Sequence, residues 1–359
     1  MTADAAPSQA AKARLRLAPR TVTLLASSAA ALAAALAMAA LPVPYVLETP
    51  GPTVDTLGSH QGQELIQVDQ APTHPVTGEL RLTTVGAFGS EPGSLSLVQL
   101  FQGYFDPDNA LLPYDLVYPR DSTEAEREAQ SAQEMQSSQD TARAAALSYL
   151  GLEVAVVVDQ PLTEAAKAVF EPGDRLVAVA GQPTADFAAI EQALAAIEPG
   201  APVEVVVERA GRELAQTLAT SRDQAGDRAM LGVTVAFDYP VEVAFGVEDI
   251  GGPSAGSMLA LGIIDKLGPD DLAGGRVIAG TGTVDPSGAI GAIGGIRQKM
   301  IGAKRDGAEV FLAPAANCGE VKGHIPAGLQ VVKVESLDGA VAALAALRAT
   351  GGDQLPTCQ

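Results

Sequence analysis

Two side chains stand out for the chemistry their neighbours permit. Ser254 follows Gly251-Gly252-Pro253, and from Ala255 to Ile264 the chain carries no charge. That pattern predicts a turn and then a helix from about Ser254 to Lys266, buried on most sides. Glycine lets backbone approach a bound group closely. The free N–H groups and dipole at a helix start can hold an oxyanion. Serine is also a common helix cap, so this segment alone leaves both roles open. The second side chain is Lys299, in Gly294-Gly295-Ile296-Arg297-Gln298-Lys299-Met300. On a helix Ile296, Met300 and Ala303 make an apolar stripe, with Lys299 on its edge and Arg297, Lys304 and Arg305 outside it. A lysine drawn towards a core sheds its proton, and a neutral lysine is the base that a serine nucleophile needs. A lysine that only snorkels past the stripe is the competing reading.

The elements that must hold these residues come from a chain of 359 residues, 47% hydrophobic, enough for two modest cores. Net charge is −20, and a surface this acidic repels phosphate backbones, so no nucleic-acid partner is expected. Cys318 and Cys358 lack zinc-site spacing, and His60, His74 and His324 are scattered, so neither a metal nor another cofactor is expected. Lys12, Arg14, Arg16 and Arg20 precede an uncharged stretch from Thr21 to Val43. It predicts a cytoplasmic tail (1–20) and a transmembrane helix (21–43), with the remainder outside the cytoplasm as a single-pass membrane protein. A cleaved signal peptide ending at Ala37-Met38-Ala39 is the alternative. On that topology the two cysteines face an oxidising side and are expected to pair, two free thiols being the alternative.

Downstream, strands are expected at Glu64–Val68 and Glu79–Val85, and a long polar surface helix from Ser122 to about Leu150. A strand (Leu152–Val158), a Glu171–Gly181 turn–strand–turn, a helix (Asp186–Ile197) and a strand (Val203–Glu208) follow. This order resembles a bacterial PDZ domain, spanning 150–222. The resemblance implies that Leu150-Gly151-Leu152 receives a peptide C-terminus, in a groove between strand Leu152–Val158 and the Asp186–Ile197 helix.

Ser254 and Lys299 together resemble the proteolytic domain of Lon proteases. The family's Gly-Pro-Ser-Ala-Gly is present as Gly252–Gly256, and its lysine run as Gly294–Lys299. Thr281-Gly282 and Val310–Pro314 match the motifs that lie between and after them. The resemblance reaches back to Gly78–Thr83 and to Glu134–Ser138. It implies an α+β fold of mixed sheets and helices, with protease residues 46–149 and 223–349, the PDZ-like domain inserted, and a C-terminal tail (350–359). It implies a serine endopeptidase with Ser254 as nucleophile and Lys299 as base. Gly252, Pro253 and Thr281 would be the supporting residues, peptides or proteins the substrates, and a homo-oligomeric ring the assembly. Two family acids are missing: their places are Gly251, with Asp249 the nearest acid, and Thr283. No G-x-x-x-x-G-K-[ST] run is present, so the expected activity is ATP-independent.

Two other readings stay open. Gly252-x-Ser254-x-Gly256 also fits the nucleophile elbow of α/β-hydrolases, for which His324 would be the histidine. A tethered PDZ scaffold with an inactive protease fold is the other alternative, against which the intact Ser254 and Lys299 argue.

Overall fold

The computed structural model describes residues 18–358 except 40, 90–93, 119–121, 224, 247–249 and 353. Most of the basic tail, Val247 and Asp249 therefore lie outside the described residues. In chain order come α1 (Pro19–Ala39), β1 (Tyr45–Asp55), β2 (Ile66–Asp69), β3 (Glu79–Phe88), α2 (Leu97–Phe105), β4 (Ala110–Pro113), α3 (Tyr114–Val117) and α4 (Glu124–Tyr149). Then follow β5 (Ala155–Pro161), β6 (Arg175–Val179), α5 (Phe187–Ala195), β7 (Pro202–Arg209), β8 (Arg212–Ala219) and β9 (Val233–Asp238). The chain continues with β10 (Glu242–Phe245), α6 (Gly256–Leu267), β11 (Val277–Gly280), α7 (Ile296–Arg305), β12 (Val310–Pro314), β13 (Gln330–Val334) and α8 (Leu337–Thr350).

The uncharged stretch 21–43 is not one helix. α1 stops at Ala39, where Pro42 and Pro44 forbid continuation, and Pro42-Val43 instead pairs with Leu95-Ser96. Val22, Leu24, Leu25, Leu32, Leu36 and Met38 are the large apolar residues of α1, among many small alanines and serines. No helix among the described residues is long and apolar enough to cross a membrane. This corrects the expected transmembrane helix, and the single-pass localisation built on it falls with it.

The main sheet has strand order β13-β12-β11-β3-β1-β4. Its first four strands are parallel, and β1 pairs antiparallel with both β3 and β4. β12 (Val-Phe-Leu-Ala-Pro) is buried along its whole length, as a parallel strand covered on both faces requires. The uncharged run after Ser254 forms α6, whose residues Gly256–Lys266 are all buried. α4 starts with a capping box, in which Thr123 and Glu126 bond each other's backbone N–H. It was expected on the surface. Its second half instead buries Ala142, Ala144, Ala145, Ala146 and Leu147 against α6, because alanine methyls let two helix backbones come close.

A second sheet, β8-β7-β6-β5-β9, lies between the two sequence segments that build the main sheet. It has its own core, including Val156, Phe170, Leu176, Ile190, Val205 and Val207. The expected boundary at 222 is too early. β9 pairs with β5 from Val233↔Pro161 to Asp238↔Ala155, so this sheet closes only at Asp238. Phe237 packs against both cores, and the Tyr239 hydroxyl donates to Asp140 O on α4 at 2.9 Å. These contacts seat the smaller unit on the larger one.

β13 is the last strand of the main sheet, and Lys333 N on it donates to Pro356 O at 2.8 Å. A disulfide joins Cys318 to Cys358, with the Cα atoms 4.8 Å apart. It holds the end of the chain against a third core that contains Ile296, Met300 and Phe311.

Candidate active site

Ser254 sits in a single 3-10 turn, Pro253–Ala255, that leads directly into α6. The turn is entered through Gly252 at φ 80°, a left-handed conformation that glycine tolerates. α4 grips this turn from one side. Ser131 O accepts from Gly252 N at 3.1 Å, and the Ser138 hydroxyl donates to Pro253 O at 3.1 Å. A Cβ on Gly251 would lie 2.2 Å from Ser131 Oγ, so a side chain there would require the Ser131 hydroxyl to turn away.

From the other side come the residues after β11. The backbone N–H of Gly282 and the hydroxyl of Thr281 both donate to Ser254 O, at 2.9 and 3.0 Å. Thr281 is only 1% exposed, and Gly282 O in turn accepts from Ser257 N at 3.0 Å.

α7 brings Lys299 into the same place. Ile296, Met300 and Ala303 are buried as the stripe requires, and Lys299 is drawn in with them to 3% exposure. Its Nζ donates to Ser254 Oγ at 2.7 Å and to Thr281 Oγ1 at 3.1 Å. Burial pulls the lysine down from its ordinary value to about 8, against an opposing pull from the Glu48 carboxylate. Ser254, Lys299 and Thr281 thus meet in space from three separate elements.

The backbone donors need correction. Gly252 N is already bonded to Ser131 O, and Pro253 has no N–H, so within Gly252–Ser254 only the Ser254 N–H can face an oxyanion. His324 lies on the surface with Nδ1 3.1 Å from Glu320 O, away from Ser254.

Leu150, Gly151 and Leu152 lie at the end of α4 rather than at a free sheet edge. β5 has β6 on one side and β9 on the other, so no peptide can add to it. Gly151 and Leu152 line a cleft of about 610 Å³ with Glu153, Arg175 and Asp186. A larger cavity, about 860 Å³, runs between α5 and the segment Asp227–Val235, where β9 begins. Phe187, Ile190 and Leu194 form one wall, Met230 to Val235 the other, and Ser137 of α4 also borders it. The closing strand is hidden in the sequence because Gly226 and Gly232, both at positive φ, precede it with turn signals. Ser131 and Ser138 were also unassigned, although Ser138 ends the Glu134–Ser138 run that resembles a Lon-domain helix.

Comparison with known proteins bears on the second half of the chain. Residues 216–346 match the model of the Lon protease (S16) C-terminal proteolytic domain. A Lon protease of Rickettsia bellii is 30% identical over 105 residues, covering 28% of this chain and 13% of that protein. A protein of Agrobacterium fabrum named as a zinc metalloprotease is 30% identical over 129 residues, covering 31% of this chain and 34% of its own length. The chain therefore spans about a third of one of these curated relatives and 13% of the other. Among solved structures, the PDZ domain of an SdrC-like protein from Listeria monocytogenes is 16% identical with a TM-score of 0.21, covering 22% of this chain and 85% of that one. The second domain of a listeria protein, solved in solution, is 16% identical with a TM-score of 0.20, covering 24% and 85%. Over residues 216–346 the chain is similar to the proteolytic domain of Lon proteases, and that similarity supports a serine protease.

Proposed function

We propose that this chain is an ATP-independent serine endopeptidase in which Ser254 is the nucleophile and Lys299 the general base. One observation carries the reading: a lysine with 3% exposure whose Nζ lies 2.7 Å from the hydroxyl of a serine at the start of a buried helix. The neutral amine has one lone pair and two N–H groups. The lone pair accepts the Ser254 proton, while one N–H stays on Thr281 Oγ1 and fixes the amine's direction. Ser254 Oγ then bonds to the scissile carbonyl carbon, and the developing oxyanion takes the Ser254 N–H. The Lys299 ammonium returns its proton to the leaving amine as the C–N bond breaks. Water hydrolyses the acyl-enzyme with Lys299 again as base.

The second unit is proposed to select substrates. β9 is the outermost strand of its sheet, and the cavity beside it is walled by α5. An extended peptide end can add to such an edge, side chains falling into the apolar wall. Unfolded segments and tails suit a protease of this kind.

The test is cleavage of a short unstructured peptide by the full chain and by Ser254→Ala and Lys299→Ala. Loss in both variants, with the fold retained, supports the reading. Turnover surviving in either refutes it, and binding of peptides without any cleavage would leave a scaffold.

A further inference from the structure

The carboxylates that family resemblance would place beside the pair are missing at Gly251 and Thr283. A carboxylate is nevertheless present, delivered by a strand some 250 residues away in sequence. Glu48 lies on β1, paired to Ala87 on β3 and to Ala110 on β4. Directly opposed residues share a face of a sheet, so its flanking neighbours are two methyl groups. They offer it no charged partner and leave it space. α7 packs across β1 and β3. Glu48 Oε2 reaches to 3.6 Å from where a Cβ on Gly295 would be. Gly295 is the N-cap of α7, and its carbonyl accepts from Lys299 N at 3.0 Å. The carboxylate therefore lies over the first turn of the helix, one turn from the lysine.

Among the described residues, Lys299 is the charge that acts on it. Arg297 on α7 is exposed, and Gln298 is turned to Asp108 O at 3.3 Å. Tyr118, just past α3, feels the Glu48 charge, and burial keeps its hydroxyl protonated; Arg127 stacks on its ring at 4.8 Å. Tyr114 lies on the far side of Tyr118, with ring centroids 5.3 Å apart. Ser254 and Thr281 carry no charge. Burial raises the Glu48 carboxyl, and the nearby Lys299 charge opposes that rise.

We infer that Glu48 acts through Lys299: its carboxylate balances the buried ammonium that forms when Lys299 takes the Ser254 proton. The inference rests on the Ser254–Lys299 reading. An ammonium created in a dry site is costly without an opposite charge nearby. A carboxylate one helical turn away supplies that charge without touching the substrate.

The experiment compares the full chain with Glu48→Gln and Glu48→Asp. Peptide turnover is followed from about pH 6 to 10, together with the rate at which a fluorophosphonate modifies Ser254. Removing a negative charge beside an amine favours its neutral form. In Glu48→Gln the rising limb of both profiles is therefore expected to move about one unit towards lower pH. The plateau kcat is expected to fall roughly tenfold to a hundredfold with KM nearly unchanged. Glu48→Asp is expected to keep the wild-type limb and recover part of kcat. Thermal unfolding reports whether each variant is folded, and Glu48→Ala takes the place of Glu48→Gln if that variant is not. A folded Glu48→Gln, or failing that a folded Glu48→Ala, with unchanged kcat and limb would overturn the inference. If the fluorophosphonate leaves wild-type Ser254 unmodified, the Ser254–Lys299 reading fails, and this inference with it.

Discussion

Ser138 on α4 donates its hydroxyl to the carbonyl of Pro253 at 3.1 Å, one residue before Ser254. The longest helix among the described residues thus holds the turn that carries the proposed nucleophile. Ser138→Ala removes one of two bonds to the Pro253 carbonyl, which keeps the Gly256 N–H, at a cost of about 1 kcal/mol or less. The expected result is a folded protein with kcat lowered more than KM is raised. Ser138→Thr, which keeps the hydroxyl, is expected to recover much of the loss. Wild-type kinetics in Ser138→Ala would show that the turn is held without this bond.

Ser254→Ala and Lys299→Ala are expected to abolish cleavage, because nucleophile and base act as one unit. Lys299→Arg is expected to fail as completely, since a guanidinium does not release its proton in a protein. Peptide cleavage and near-native thermal unfolding, measured on the same samples, check this. Turnover by Lys299→Arg would dismiss the lysine as base.

Activity is expected to rise with pH through about 8, where Lys299 becomes neutral. His324→Ala is expected to leave this limb in place. The same lysine has a sign for stability. Its folded value lies below the ordinary 10.5, so between about 8 and 10.5 the unfolded chain binds more protons. The destabilisation is fully present below about 8 and is relieved as pH rises towards 10.5, on the order of 3 kcal/mol in all. Denaturant unfolding of wild type and Lys299→Met is expected to diverge in that window, with wild type gaining. Parallel curves would refute a depressed lysine.

Met230 is 43% exposed in the cavity between α5 and β9. Met230→Glu sets a negative charge where a peptide carboxylate would seat. KM for a substrate with an extended C-terminal tail is expected to rise roughly tenfold, while a short peptide is cleaved as before, since each like charge in such a groove is worth about 1 kcal/mol or more. Equal effects on both substrates would separate the cavity from substrate selection.

The disulfide between Cys318 and Cys358 closes a separation of 40 residues. In the chain-entropy view it stabilises by roughly 4 kcal/mol. Cys318→Ser is expected to lower the unfolding midpoint accordingly. Alkylation of the native protein without reductant is expected to label no thiol, and labelling of both cysteines would refute the bridge.

What the sequence disclosed follows the range of its signals. Ser254 and Lys299 were legible because each lies in a short run whose spacing fixes a turn or a helix face, and α6 was legible as buried because it lacks charge. Glu48 was not: it alternates unremarkably on β1, and only the pairing of distant strands carries it to the start of α7. The second sheet was closed too early because β9 lies behind a Gly-rich loop, and with β9 unseen β5 looked like the edge. The segment 21–43 reads as continuous by charge alone, yet Pro42 and Pro44 divide it into a helix and a strand.

The bond from Lys333 to Pro356, together with the anchored Cys358, has a consequence for how copies of this chain meet. β13 ends the main sheet, and an uncovered terminal strand presents a ladder of unmet donors and acceptors to any other extended chain. The segment Leu355–Cys358 lies along that border as a selvedge. It cannot be lifted by fraying alone, because its far end is covalently fixed beside α7. A reducing environment therefore does more than lower stability. Reduction is expected to free this segment and uncover the β13 edge, and self-association measured with and without reductant checks it.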